Sequence, residues 1–139
     1  MYYIIYLSAG TKWFDEPELQ AILASSNEHN SRNNITGLLL YNQGDFIQLL
    51  EGEESDVMAT FERISLDARH KGITHIASGQ LKKRNFPRWA MGFKLLNDLS
   101  MQPLKAYLDP TNKSLLPGAD QHLSIKLLKA FVRTARMAV

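Results

Sequence analysis

Two apolar runs of strand length, Ile35-Thr36-Gly37-Leu38-Leu39-Leu40-Tyr41 and Phe46-Ile47-Gln48-Leu49-Leu50, are joined by Asn42-Gln43-Gly44. Runs of this kind linked by an Asn/Gly turn read as a β-hairpin, which commits the middle of the chain to antiparallel sheet. Gln48 lies inside the second run, between Ile47 and Leu49. A side-chain amide in such a place either points to water or finds a partner. Buried and unpaired, it costs about 1–3 kcal/mol.

The flanking segments fill in the topology. Residues 2–8 read as a strand that is apolar or aromatic on both faces, with Tyr2, Ile4 and Tyr6 on one and Tyr3, Ile5 and Leu7 on the other. A strand apolar on both faces is covered on both faces. Residues 17–29 read as a helix, with Leu19, Ile22, Leu23 and Ser26 at helical spacing; Pro17 suits its first turn, and Asp15 and Glu16 suit its dipole. A second helix is predicted over 55–69, with Ser55 as N-cap and Val57, Phe61, Ile64 and Ala68 on one face. Strands are predicted over 73–81 and 89–96. The order predicts an α+β, ferredoxin-like βαββαββ fold with two helices on one face of the sheet. Near the C-terminus, Leu123, Leu127, Leu128 and Phe131 recur at helical spacing, widened by Ile125 and Val132. This helix is expected to cover the sheet face that the others leave bare, or to make a dimer contact. The expected division is a domain over 1–97 and a helical extension over 98–139.

Composition narrows the function. A chain of 139 residues with a formal charge of +2 is one compact unit with no strong electrostatic case for nucleic acid or membrane. It has no cysteine, which removes thiol nucleophiles and Cys-based metal sites and fits a reducing, cytoplasmic compartment. The apolar N-terminus is too short, and lacks the basic lead, for a signal peptide; no apolar stretch is long enough to span a bilayer. There is no Gly-rich phosphate loop and no G-x-S-x-G elbow, and the histidines are scattered, so an enzyme is not expected. Glu51 and Glu53 read as solvated charges at the end of the hairpin, and Lys82-Lys83-Arg84 as a solvated loop.

In this topology the first and third strands are neighbours, so Tyr6 and Gln48 can meet. They satisfy each other, or Gln48 faces solvent. Asn30 is expected to end the first helix, and Asp67-Ala68-Arg69-His70 the second. With both helices on one sheet face and their ends side by side, Asn30, Asp67 and Arg69 would edge a groove above Tyr6 and Gln48. Such a groove suits a flat heterocycle with donors and acceptors.

Taken in order, Tyr6-Leu7-Ser8, Asn30, residues 35–41, Phe46-Ile47-Gln48-Leu49-Leu50-Glu51-Gly52, Asp67-Ala68-Arg69-His70 and Arg84-Asn85-Phe86-Pro87-Arg88-Trp89-Ala90-Met91-Gly92-Phe93 resemble the BLUF family, blue-light sensors that use FAD. The resemblance covers about the first 95 residues. It implies FAD as cofactor and a photoreceptor without turnover. Tyr6 would donate an electron and a proton to the excited flavin, and Gln48 would sit between Tyr6 and the flavin N5/O4 edge. Asn30 would hold the C4 carbonyl and N3 side; Asp67 and Arg69 would lie near the pyrimidine edge and ribityl chain, with His70 nearby. Trp89 and Met91 would couple the pocket to signalling. With no effector attached, output is expected through a separate downstream protein and a homo-oligomer. The competing reading is a light-independent ferredoxin-like binding module, motivated by the cationic face of Lys126, Lys129, Arg133 and Arg136.

Overall fold

The computed structural model describes residues 1–12, 14–42, 44–87, 91–95 and 122–137, with side chains apart from those of 92–95 and 132–137. Its elements are β1 (Tyr2–Gly10), α1 (Glu16–Arg32), β2 (Thr36–Asn42), β3 (Asp45–Gly52), α2 (Glu54–Ser65), β4 (His70–Gln80), β5 (Gly92–Leu95) and α3 (Leu123–Met137). The sheet order is β4-β1-β3-β2-β5. β3 runs antiparallel between β1 and β2, β4 pairs antiparallel with β1, and β5 adds to β2 in parallel. This is the ferredoxin-like arrangement with one strand added at an edge.

The hairpin forms as its sequence dictates. Gly44 adopts φ +92 in the turn, a conformation that glycine reaches without a Cβ penalty. Gly37 is needed for a different reason: a Cβ there would lie 1.8 Å from the Leu49 carbonyl oxygen across the ladder. Gly37→Ala must therefore push β2 from β3. It should cost about 1–3 kcal/mol, the usual penalty of overpacking, read as a lower denaturant midpoint.

Each sheet face carries its own core. On one face Ile4, Tyr6, Leu39, Phe46 and Leu50 pack under Leu19 of α1 and Val57 of α2. On the other, Tyr3, Ile5, Leu38, Leu40, Ile47 and Leu49 pack under Ile125 and Leu128 of α3. The C-terminal helix thus covers the bare face, as expected. The stripe is shifted, however: Ile125 and Leu128 are fully buried whereas Leu123, at the helix start, is 49% exposed.

Helix boundaries correct the sequence reading at several points. α1 starts on a reciprocal capping box between Asp15 and Glu18 and runs past Asn30 to Arg32. α2 is preceded by Glu53, which makes no side-chain cap, and Ser55 lies within its first turn. The same helix stops at Ser65 rather than continuing to residue 69. The Asp67 carboxylate accepts the Arg69 backbone N–H at 2.9 Å, a local bond that competes with helix continuation. β4 accordingly begins at His70, and Gly72 lies within it at φ +59. The predicted last strand is confined to Gly92–Leu95 among the described residues.

Candidate functional site

The β1–β3 register places Tyr6 directly opposite Gln48. Both are buried, at 2% and 4% exposure. The Tyr6 hydroxyl donates to Gln48 Oε1, which leaves Nε2 to donate to the Met91 sulfur at 3.4 Å. Gln48 therefore bridges a phenol and a thioether. Burial pushes the Tyr6 phenol far above its ordinary range; the Asp67 charge adds to this and the Arg63 charge opposes it. The neutral form of Tyr6, a hydrogen-bond donor, is thereby favoured. Its ring packs edge-on against Phe61, with centroids 5.3 Å apart.

Above this pair lies a slot between α1 and the end of α2. Ile22, Leu39 and Ile64 give it apolar walls. Ser8, Ser26, Gln48, Asp67 and His70 give it polar edges, and Arg63 and Arg69 add cationic groups. His70 is fixed at both ring nitrogens. Nε2 donates to the Ile64 carbonyl at 2.6 Å, so in the neutral ring Nδ1 accepts from the Ser8 hydroxyl at 3.0 Å.

Asp67 and Arg69 form a forked ion pair, with Nη2 to Oδ2 at 2.6 Å and Nε to Oδ1 at 3.0 Å. Chiefly through the Arg69 hydrogen bonds, the Asp67 carboxyl is held down to about 2, from an ordinary 3.8. A depressed carboxylate stabilises the fold above its unfolded pKa and loses that contribution as pH falls through the folded one. The pair should therefore act in full above about pH 4 and be lost towards pH 2. A carboxyl ¹³C titration should place Asp67 near 2, and Arg69→Gln should return it towards 3.8.

The structure brings Tyr6, Gln48, Asp67, Arg69 and His70 together, with Met91 behind Gln48. Asn30 is placed otherwise. Because β1 and β2 run parallel and β3 and β4 run against them, α1 and α2 are antiparallel, so their C-termini do not lie side by side. The middle of α1 faces the Asp67 turn: Ile22 and Ser26 line the slot, and Asn30 lies one turn further on. Asn30 is 1% exposed, and its carbonyl accepts the Ile35 N–H at 2.9 Å. Trp89 lies outside the described residues. Ser8, Ser26 and Arg63 escaped the sequence reading. Ser8 was findable from its shared strand face with Tyr6, and Ser26 from its helical spacing to Ile22.

A ferredoxin-like sheet with a buried Tyr–Gln pair at the floor of a polar-edged slot has the form of a small-molecule-binding domain. The chain belongs to the BLUF family, "Sensors of blue-light using FAD", whose model matches residues 1–92. Over 89 residues it is 33% identical to the photoactivated adenylate cyclase subunit beta of Euglena gracilis, covering 63% of this chain and 10% of that protein. It resembles the structure of a bacterial light-regulated adenylyl cyclase, with TM-score 0.68 and 37% identity over 81% of this chain and 34% of the other. It also resembles the dark-state structure of the BLUF protein BlrB, with TM-score 0.67 and 30% identity over 82% and 89% of the two chains. The chain thus spans about a tenth of the length of the curated cyclase subunit it matches.

Residues 1–92 are therefore a flavin-using blue-light photosensor, and the light-independent module is set aside. The slot fits FAD chemically. Apolar walls suit a flat ring system, the amide and hydroxyls suit its carbonyl and imide edge, and Arg63 and Arg69 suit an anionic diphosphate. No helix among the described residues is long and apolar enough to cross a membrane.

Proposed function

We propose that this chain is a light-switched binding protein without turnover, and that Tyr6, Gln48 and Met91 form its switch. The hydrogen-bonded series Tyr6–Gln48–Met91 carries this reading. Bound FAD supplies the blue-light absorption and an excited-state oxidant. Tyr6 would donate an electron and its phenolic proton on excitation and take both back before the red-shifted state forms, so that the flavin there is oxidised again and only the Gln48 hydrogen bonds differ. Loss of that proton removes the donor on Gln48 Oε1, and the amide is then free to exchange its acceptor and donor ends. Such an exchange alters the hydrogen bond offered to the flavin with almost no movement of mass. It also replaces the donor facing Met91 with an acceptor that a thioether cannot satisfy. Asp67 and Arg69, with His70 nearby, would hold the pyrimidine edge and ribityl chain of FAD, and Asn30, one turn beyond Ser26, its C4 carbonyl and N3 side. Met91 and Trp89 pass the change to β5.

Residues 98–139 are an extension to a sensor domain over 1–97, and α3 receives the signal on the opposite sheet face. The output is association with a separate cytoplasmic protein or between copies of this chain. The test is an absorption spectrum before and after blue light. Purified protein should be yellow, and its flavin bands should move reversibly to the red. A protein that stays colourless on reconstitution with FAD, or whose bands do not move, would refute the proposal.

A further inference from the structure

β4 and β5 occupy opposite edges of the sheet, and the described residues 81–87 that follow β4 run along the ends of β1, β3 and β2. This segment is pinned to each in turn. The Leu81 N–H donates to the Met1 carbonyl at 2.8 Å. Arg84 donates to Thr36 Oγ1 at 2.8 Å and to the carbonyls of Asn34 and Glu51 at 2.6 and 2.7 Å. The strongest hold is the Glu51 side chain. Its carboxylate accepts the Asn85 N–H at 2.9 Å, the Phe86 N–H at 2.9 Å and the Asn85 amide at 2.8 Å. Glu51 is not the solvated charge its sequence position suggests: it is 0% exposed, as is Phe86 beside it. Burial pushes its carboxyl upward, while the N–H donors and Arg84 pull the other way. A fully buried carboxylate on three donors is costly to assemble and is rarely placed without a geometric purpose.

Met91 lies only five residues beyond Phe86 in the sequence. Phe86 is locked into the core under α3, whereas Met91 sits in the opposite core against Gln48. We propose that Glu51 is a positioning residue of the photosensor: its carboxylate fixes where the chain leaves the end of the sheet, and so holds the Met91 thioether against the Gln48 amide. The inference rests on the switch role given above to Gln48 and Met91.

Glu51→Gln keeps size and burial but turns one acceptor into a donor that meets the donors of Asn85. The variant should fold, bind FAD and shift to the red as the parent does. Its return in the dark should be slower by about threefold or more, because a loosened Met91 relieves the unsatisfied lit-state contact and weakens the dark-state Gln48–Met91 bond. In protein carrying ¹³C-methyl methionine, the dark-state Met91 resonance, assigned with Met91→Leu, should move. Asn85→Ala, which removes only the side-chain donor, should act in the same direction and decides the matter alone if Glu51→Gln does not fold. An unmoved Met91 resonance, or recovery less than about twofold slower than the parent, overturns the proposal. A parent without any red shift would instead defeat the functional reading on which it rests.

Discussion

Tyr6→Phe retains FAD and shows no light-induced red shift. The substitution removes only the hydroxyl, so the slot walls and the Arg63 and Arg69 cations are untouched. What disappears is the proposed electron and proton donor and the hydrogen bond that orients Gln48 Oε1. The expected loss is complete, because among the described residues no other phenol lines the slot: Tyr41 instead accepts from the Phe14 N–H at 3.2 Å. Stability should fall as well. Gln48 Oε1 is left buried without its donor, at about 1–3 kcal/mol, whereas Tyr6→Phe with Gln48→Leu removes both partners and should recover most of that loss. Difference spectra under blue light and denaturant midpoints measure the two effects separately. A full red shift in Tyr6→Phe would rule out the assigned role.

The other large effect is expected on the far face. A chain ending at residue 97 should not persist as a soluble monomer. Without α3, the sheet presents Tyr3, Ile5, Leu38, Leu40, Ile47 and Leu49 to water, each at most 6% exposed in the intact fold. Side chains of this kind contribute about 1.5–3 kcal/mol each when buried, and an exposed apolar sheet face of this extent favours association. Leu128→Asp, at a position with 0% exposure, puts a carboxylate against the same face and should act as the truncation does. Sedimentation of both variants checks this; stable monomers would show that α3 is dispensable to the sheet.

The fold was legible wherever local chemistry decides it. The Asn/Gly turn with its apolar runs specifies the hairpin, and the two-sided apolar pattern of Tyr2 to Leu7 demands the second cover that α3 provides. Tyr6 and Gln48 follow from strand adjacency once the topology is set. Legibility ends where partners are distant in sequence or where a side chain competes with the backbone. Nothing near Glu51 announces Asn85 and Phe86, and nothing near Gln48 announces Met91. The helix stop at Ser65 depends on the Asp67–Arg69 bond, which periodicity cannot see. The position of Asn30 turns on helix direction: the strand order makes the helices antiparallel, so its side of the groove lies a turn from Ser26 rather than beside Asp67.

β3 carries Gln48 on one face and Ile47 and Leu49 on the other, and the sheet between the two cores is one strand thick. Such a layer is a diaphragm rather than a wall. Under the proposed switch, packing changes made beneath α3 would press on the back of the strand that holds Gln48. On that proposal the lifetime of the lit state and the choice of partner would be linked through β3.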